Sequence, residues 1–364
     1  MKKVAVIISG GGTGGHLYPA LVLGRTLKKF QPNHQLVYVG SSRTVEKKIM
    51  TEQETIFLTL PVEGLKGRGW KKLRGLALLP LAFLKSFFIL IKYRPSLVIG
   101  VGGFSSGPIV LLASWLGKPT IILEQNALPG FTNRKLSRWV DKAVVSFASS
   151  LPYFGEKGIL LGNPVRPEFY QIPPKKRESS LRLLIFGGSQ GSRFLNDRII
   201  ESLPFLQELK DSIIIYHQTG ERDFKRVAEA YRQAGFGRVT VSPYFSPMPD
   251  YFARVDLIIS RAGATTCAEL IAALKPAILV PFALAADNHQ EYNARELEKA
   301  GGVEVILEKE FTRQLFLDKI KFYQNHKEAL NRMEDSLKKL RKENIAESIA
   351  QLCLEMIKSS GRRK

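Results

Sequence analysis

One local pattern occurs twice in the chain: a short apolar run, then a glycine-rich loop, then a helix-forming stretch. The first copy joins Val4–Ile8 to Ser9–His16, and the second joins Leu181–Phe186 to Gly187–Ser192. An apolar run of this length bounded by glycine is typical of a buried parallel strand, and a loop and helix that follow at once begin a doubly wound sheet. The repetition predicts an α/β fold with two Rossmann-like domains in tandem.

The chain length agrees with two domains, because 364 residues exceed what one hydrophobic core usually supports. Further apolar runs continue both halves, at 36–39, 97–99, 120–123, 143–146, 213–216, 257–259 and 277–280. The pattern breaks near 162–167. We therefore expect an N-terminal domain over 1–163, a C-terminal domain over 164–340, and a helix with a basic tail over 341–364 that packs back on the N-terminal domain.

The net charge of +21 indicates an anionic partner, and the sign alone leaves nucleic acid, acidic lipid and phosphate-bearing substrates open. We expect no nucleic acid to bind, because no helix-turn-helix, zinc or RNP-type motif accompanies the charge. The two cysteines, Cys267 and Cys353, are too few for a disulfide framework and fit a reducing compartment. Only Val4–Ile8 precedes the first glycines, which is too short for a signal-peptide apolar region, so we expect a cytoplasmic location.

The segment 61–94 combines apolar and basic residues in a way that neither domain pattern explains. It has eight basic residues against one acidic residue, Glu63, and its central part, 73–91, is strongly apolar. Pro80 and Lys85 interrupt the apolar run, which is therefore too short for a membrane span. Apolar burial together with headgroup attraction favours a helix or loop that rests on an anionic membrane surface. The alternative is a buried helix of the first domain with basic ends.

The first glycine loop, Gly10-x-Gly12-x-x-Gly15, matches the fingerprint of dinucleotide-binding proteins. A nicotinamide site expects a carboxylate at the end of the second strand, whereas this strand ends in 39–43 without one, which counts against NAD. The general chemistry remains, because amides at a helix N-terminus bind a phosphate or diphosphate. The second loop adds the hydroxyl of Ser189 and lacks the Walker lysine. In the alternative interpretation, the glycines only permit tight turns and close packing.

Two further polar segments follow strands of the second half. The segment 260–269 runs from a strand end into a helix start, and Glu269 there is placed to accept hydrogen bonds from both hydroxyls of a ribose. Its alternative role is that of an acidic residue favoured by the helix dipole. The segment 287–293 is dense in hydrogen-bonding side chains and is typical of a sugar-binding loop.

Six motifs occur in order and cover nearly the whole chain: Gly11–His16, Gly102–Pro108, Glu124–Asn126, Gly162–Arg166, Gly187–Gly191 and Ser260–Gly263. Taken together, they resemble the MurG family of peptidoglycan N-acetylglucosaminyltransferases. The resemblance implies a GT-B fold, in which two Rossmann-like doubly wound domains face each other across a cleft.

The same resemblance implies a reaction, its substrates and its location. N-acetylglucosamine is transferred with inversion from UDP-N-acetylglucosamine to lipid I, the undecaprenyl-diphosphate-linked N-acetylmuramoyl-pentapeptide. The product is the β-1,4-linked disaccharide of lipid II, used in peptidoglycan biosynthesis. The enzyme is expected at the cytoplasmic face of the bacterial inner membrane as a peripheral protein. No cofactor and no metal are expected, and other cell-wall enzymes are admitted as partners.

The resemblance also implies which residues bind the donor. Arg166 and Ser189 are expected to reach the nucleotide and its diphosphate, and the backbone at Phe245 is expected to meet the uracil. Gln290 is expected to hold sugar hydroxyls. The full expected donor set is Thr13, Gly14, Gly15, Asn126, Arg166, Ser189, Phe245, Ala264, Thr265, Thr266, Cys267, Ala268, Glu269 and Gln290.

The expected reaction is a direct displacement, in which the acceptor hydroxyl attacks the anomeric carbon and UDP leaves. Helix-terminal amides, Ser189 and cationic side chains are expected to stabilise the leaving diphosphate. The hypothesis for the general base is His16, since histidine has a reference pKa of about 6.5. Its alternative role is to orient the loop through hydrogen bonds, and Glu124 is the reserve candidate for the base.

Two other functions remain open at this point. A UDP-N-acetylglucosamine 2-epimerase shares the fold and the donor, but it has no need of the apolar and basic segment 61–94. Another GT-B transferase that acts on a lipid acceptor, such as diacylglycerol, is the nearest alternative within the class.

Overall fold

The computed structural model describes residues 4–11, 14–41, 55–63, 70–174 and 178–361. The chain divides into two compact units. Unit 1 is formed by the chain up to Val165 together with Asn344 onward, and unit 2 is Arg166–Glu343. These divisions lie at 165 and 343, compared with 163 and 340 expected from the sequence.

Unit 1 contains a seven-stranded sheet in the order β3-β2-β1-β4-β5-β6-β7, and every neighbouring pair is parallel. The strands are β1 Ala5–Ser9, β2 Gln35–Gly40, β3 Ile56–Thr59, β4 Leu97–Gly100, β5 Thr120–Glu124, β6 Lys142–Val145 and β7 Gly158–Leu160. Its helices are α1 Gly14–Phe30, α2 Trp70–Tyr93, α3 Ser106–Trp115, α4 Phe131–Leu136 and, from the end of the chain, α12 Ile345–Gly361.

Unit 2 contains a six-stranded parallel sheet in the order β10-β9-β8-β11-β12-β13. The strands are β8 Leu181–Phe186, β9 Ile213–Gln218, β10 Val239–Ser242, β11 Leu257–Ser260, β12 Ala277–Leu279 and β13 Val303–Val305. The helices are α5 Arg193–Ser202, α6 Phe224–Gln233, α7 Met248–Arg254, α8 Ala264–Ala273, α9 His289–Lys299, α10 Arg313–Asn325 and α11 Lys327–Leu340.

Apolar burial on both faces explains why the central strands read as unbroken apolar runs. In unit 1, Val6 and Ile8 of β1 pack in one cluster with Ile349 and Cys353 of α12. Ile7 points to the other face, in a cluster that includes residues of α2 and α3. The C-terminal helix therefore covers one face of the unit 1 sheet.

Strand order reverses once in each sheet, between β1 and β4 in unit 1 and between β8 and β11 in unit 2. Ligands of open α/β sheets bind outside the carboxyl ends of the strands at such a switch point. The glycine loops after β1 and β8 lie at these two switch points, which are therefore the expected ligand-binding positions of the two sheets.

Most of the apolar and basic segment 61–94 forms helix α2. The helix spans 24 residues and includes Pro80. Ala82, Ser86, Ile89 and Leu90 are buried, so one face packs on unit 1. The opposite face is exposed and apolar, with side chains of Leu81, Leu84, Phe87, Phe88 and Ile91. Lys66 and Arg68 of the same segment lie outside the described residues.

Candidate active site

In unit 1, the side chain of His16 lies in the first turn of α1, at the carboxyl ends of β1, β4 and β5. Its Nδ1 is 3.1 Å from Oε1 of Gln125, which directly follows β5. The Gln125 amide nitrogen donates to the carbonyl of Val101 at 3.2 Å, so Oε1 is the acceptor for His16. This network favours the neutral tautomer with the proton on Nδ1. The basic nitrogen of His16 is then Nε2.

Two glycines after β4 make room for His16 and the first loop. Gly102 has a φ of +91°, and a Cβ atom placed there would lie 2.8 Å from Cε1 of His16. Gly103 has a φ of +79°, and its added Cβ would lie 2.1 Å from the carbonyl oxygen of Gly11. The loops after β1 and β4 therefore pack backbone to backbone, which only glycine permits. Gly14 and Gly15 open α1, and Thr13 lies outside the described residues.

Glu124, the reserve candidate for the base, is 2% exposed, and both of its carboxylate oxygens accept hydrogen bonds. Its Oε1 accepts from the backbone and side-chain nitrogens of Asn126 at 2.9 and 3.1 Å. Its Oε2 accepts from Gly130 N at 2.9 Å and from Asn133 Nδ2 at 3.0 Å. A carboxylate that accepts from four donors holds the loop after β5 in place. Glu124 therefore fixes both the backbone and the side chain of Asn126.

In unit 2, the second glycine loop is fixed at its end by Ser192, the N-cap of α5. Its hydroxyl accepts from Leu195 N at 3.4 Å and from Nε of Arg261 at 3.1 Å. Gly191 has a φ of +75°, and an added Cβ would lie 2.0 Å from the carbonyl oxygen of Thr219. The loop that carries Ser189 is thus pressed against the end of β9.

Arg261, which the sequence showed only as part of a motif, holds several strand ends together. Its Nη1 donates to the carbonyls of Val280 and Pro281 at 3.1 and 3.2 Å, and its Nη2 lies 2.6 Å from Glu308. Burial lowers the pKa of Arg261, an effect that Glu308 opposes. The guanidinium joins the end of β12 to the cap of α5, so it fixes the outline of the site.

Arg166 and Glu269, both predicted from the sequence, meet in unit 2. Nη2 of Arg166 lies 3.4 Å from Oε1 of Glu269, and the guanidinium stands 4.9 Å from the ring centre of Phe169. Burial raises the pKa of Glu269 to about 7, although Arg166 lowers it. The carboxyl group therefore lies near its titration midpoint at neutral pH.

The residues before Glu269 form the first turns of α8. The side chains of Thr265, Thr266 and Ala268 are partly exposed, and Ala264 is nearly buried. Cys267 is completely buried, and burial raises the pKa of its thiol to about 12. Cys267 can therefore contact the expected sugar-nucleotide donor only through its backbone atoms. Ala264 begins a helix whose N-terminal amides suit an anion.

The expected uracil and sugar contacts are already engaged in internal hydrogen bonds. Phe245 N donates to Oε1 of Gln218 at 2.8 Å, and its ring stacks on Tyr251 with centroids 3.9 Å apart. Oε1 of Gln290 accepts from Phe282 N at 3.0 Å. A base that meets the backbone at Phe245 is therefore offered its carbonyl, and Gln290 has its amide nitrogen for a sugar hydroxyl.

Within the described parts of the chain, no group of three or more His, Cys, Asp or Glu side chains is arranged to hold a metal ion. The same residues include no helix that is long and apolar enough to cross a membrane.

Two parallel Rossmann-like sheets, each with a helix-terminal glycine loop at its switch point, define the GT-B class of enzymes. Residues 6–145 match the glycosyltransferase family 28 N-terminal domain, and residues 182–349 match the glycosyltransferase family 28 C-terminal domain.

Named relatives are similar to nearly the full length of this chain. The chain is 42% identical over 357 residues to the UDP-N-acetylglucosamine–N-acetylmuramyl-(pentapeptide) pyrophosphoryl-undecaprenol N-acetylglucosamine transferase of Anaeromyxobacter sp. (strain Fw109-5), covering 97% of this chain and 93% of that protein. It is 41% identical over 359 residues to the protein of the same name from Syntrophus aciditrophicus (strain SB), covering 98% and 99%. The crystal structure of Acinetobacter baumannii MurG superposes with a TM-score of 0.79 at 26% identity, covering 97% of this chain and 99% of that one.

The chain belongs to the MurG family within glycosyltransferase family 28. The predictions of a GT-B fold and of this family are confirmed. A crystal structure of UDP-N-acetylglucosamine 2-epimerase also superposes, with a TM-score of 0.67 at 12% identity over 96% of this chain and 95% of that one, which shows the shared fold alone.

Proposed function

We propose that the protein transfers N-acetylglucosamine from UDP-N-acetylglucosamine to lipid I and so forms lipid II. The observation that carries the substrate assignment is the similarity, over 97% of the chain, to transferases whose name states the sugar and the pyrophosphoryl-undecaprenol acceptor. The site chemistry supports it, because both glycine loops end at helix N-termini, which suit pyrophosphate groups.

The donor binds to unit 2 in this proposal. The loop that carries Ser189 and the first turn of α8 hold the diphosphate, and the carbonyl of Phe245 accepts from the uracil. Ionised Glu269 accepts hydrogen bonds from both ribose hydroxyls, while Arg166, 3.4 Å away, supports its negative charge. Gln290 contacts the sugar. In unit 1, the first glycine loop, which leads into the N-terminal amides of α1, holds the acceptor's pyrophosphate.

The chemical step is a displacement at the anomeric carbon. A hydroxyl oxygen of the N-acetylmuramoyl sugar forms the new bond to this carbon, and the bond from the carbon to the diphosphate oxygen breaks. The hydroxyl proton passes to Nε2 of His16, whose Nδ1 is held by Gln125. Negative charge collects on UDP, where the amides and Ser189 stabilise it.

The exposed face of α2 supports binding to an anionic membrane surface. Phe88 and Leu84 are 61% and 54% exposed, and the exposed side chains of Lys85, Lys92 and Arg94 lie on the same helix or directly after it. Apolar side chains that enter the interface next to lysine and arginine combine burial with headgroup attraction. This surface supports the proposal of a peripheral enzyme at the cytoplasmic face of the membrane, close to a lipid-linked acceptor.

Vesicle flotation tests the membrane proposal. The protein should float with vesicles that contain anionic lipid and bind neutral vesicles less well. Leu84→Ser with Phe88→Ser should reduce flotation. Phe205→Ser, which changes an aromatic residue of unit 2 that is 41% exposed, should not. Equal binding of all these proteins, or equal binding to neutral and anionic vesicles, contradicts the proposal.

Incubation with labelled UDP-N-acetylglucosamine, alone, with lipid I or with diacylglycerol, tests the reaction. Transfer requires lipid I and moves the label into a lipid-extractable product. An epimerase would change the sugar of the donor without any acceptor, and a transferase for another lipid would label diacylglycerol instead. Either of these results would refute the proposal.

A further inference from the structure

The side chain of Gln218, the last residue of β9, connects two parts of the proposed donor site. It is buried, and both ends of its amide are used. Nε2 donates to the carbonyl oxygen of Gly188 at 3.0 Å, and Oε1 accepts from Phe245 N at 2.8 Å. One rigid planar group thus bridges the second glycine loop and the segment that follows β10.

The bond to Gly188 fixes the direction of an amide in the glycine loop. Gly188 has a φ of +93°, and its carbonyl also accepts from Gly191 N at 3.1 Å. In a trans peptide the carbonyl and the next N–H point in opposite directions. Because the Gly188 carbonyl is drawn toward Gln218, the N–H of Ser189 is turned away from Gln218. An amide whose direction is already fixed binds an anion without a further loss of conformational entropy.

The hydrogen bond from Phe245 N to Oε1 of Gln218 fixes the segment that follows β10. The N–H of Phe245 is consumed by Gln218, so the polar backbone atom of Phe245 left for a base is the carbonyl oxygen. A carbonyl accepts from the N3–H of uracil and finds no donor at N3 of cytosine. Gln218 therefore bears on the orientation of both the base contact and the diphosphate contact.

We propose that Gln218 is a positioning residue that sets the diphosphate loop and the uracil contact at a fixed spacing through the two ends of one amide. This inference rests on the proposed donor site. It assigns Gln218 no contact with the reacting atoms, and its effect passes through Gly188 and Phe245.

Two substitutions separate the two ends. Gln218→Glu keeps an oxygen to accept from Phe245 N but loses the donor to Gly188, so the Gly188 carbonyl keeps only Gly191 N as a donor while the base contact stays. Gln218→Met has similar length and no charge, and it loses both bonds. Ile215→Val, also on β9, removes one buried methylene from the core and serves as the control for general destabilisation.

Binding of UDP and of uridine, measured by calorimetry, gives the readout. Loss of one positioning hydrogen bond should weaken the affected contact about tenfold. Gln218→Glu should therefore weaken UDP about tenfold and uridine less than twofold. Gln218→Met should weaken both ligands, and Ile215→Val should weaken neither. Circular dichroism melts establish which variants are folded, and the Gln218→Glu comparison stands without Gln218→Met.

The outcomes separate this inference from the proposed function. If the wild-type protein binds neither UDP nor uridine, the proposed donor site is wrong. If it binds UDP and Gln218→Glu lowers both affinities by the same factor, the role is general structural support and the inference fails. If Gln218→Glu weakens UDP while folded Gln218→Met does not, charge repulsion explains the result and the inference also fails.

Discussion

We predict that the titration of Glu269 makes the affinity for UDP-N-acetylglucosamine depend on pH. Burial raises the pKa of Glu269 to about 7 in the free protein, and Arg166 at 3.4 Å opposes the shift. In the proposed site the carboxylate accepts from two ribose hydroxyls, which a protonated group would do poorly. Donor binding therefore selects the ionised form and releases a proton when the pH lies below about 7.

The magnitude follows from the fraction of Glu269 that is ionised. With a pKa of about 7, roughly one molecule in eleven is ionised at pH 6 and ten in eleven at pH 8. The affinity should therefore rise about tenfold from pH 6 to pH 8 and level off above, a change of about 1.4 kcal/mol. Both phosphates of UDP-N-acetylglucosamine are already esterified, so the ligand itself does not titrate in this range.

Calorimetry at pH 6 and pH 8, in pairs of buffers that differ in ionisation enthalpy, measures both affinity and proton release. Glu269→Gln should bind more weakly at pH 8 and should show no dependence on pH. His16→Ala should retain the dependence, because His16 belongs to unit 1 and is not the group that titrates. A wild-type affinity that is flat from pH 6 to pH 8, or a slope that survives in Glu269→Gln, refutes the reasoning.

Three further predictions concern the base, the loop beneath it and the fold of unit 2. His16→Ala should lower kcat about 100-fold or more while the Kd for UDP-N-acetylglucosamine changes less than threefold, and an unchanged kcat in single-turnover kinetics removes His16 from the chemistry. Gly102→Ala should reduce turnover because its new methyl group meets the ring of His16, whereas Gly117→Ala, with a φ of +66° and no atom within 4 Å, should cost about 1 kcal/mol of stability without loss of turnover; equal activity of the two variants contradicts this. Burial lowers the pKa of His217 to about 3, so unfolded protein binds the extra proton below pH 6.5. Urea unfolding should show the wild type losing about 1 kcal/mol more than His217→Gln between pH 7 and pH 5.5, and parallel losses would show that His217 does not titrate on unfolding.

The sequence was sufficient for the two sheets because their central strands are apolar on both faces and are followed directly by glycine. Leu181–Phe186 reads as a buried run, and five of its six residues are buried. The segment 61–94 was ambiguous because its composition suits both a core helix and an interfacial one. In the structure, one face of α2 packs on the core and the opposite face is exposed. Composition alone does not show which residues of the helix lie on which face.

From the residues alone, the candidate site could be predicted only where its residues act locally, and the family resemblance supplied Asn126, Arg166, Phe245 and Gln290. Ser189 and Glu269 could be named because a loop and a helix start lie beside them in the sequence. Gln218 and Arg261 could not, since their partners lie 27 or more and 19 or more residues away, at the ends of other strands. Glu124 is the last residue of β5, and only the fold shows that Gly130 N and Asn133 Nδ2 donate hydrogen bonds to its Oε2.

The two ionisable groups of the proposed mechanism act in the same direction with pH. Glu269 must be ionised to hold the ribose, and His16 must be neutral to accept the proton of the acceptor hydroxyl. Activity at low donor concentration should therefore fall more steeply on the acid side than activity at saturating donor, where only the His16 requirement persists. Glu269→Gln should remove the additional steepness and leave the remainder, so the two groups can be assigned to binding and to chemistry from rate profiles alone. If both profiles fall equally in the wild type, donor binding does not depend on the Glu269 proton.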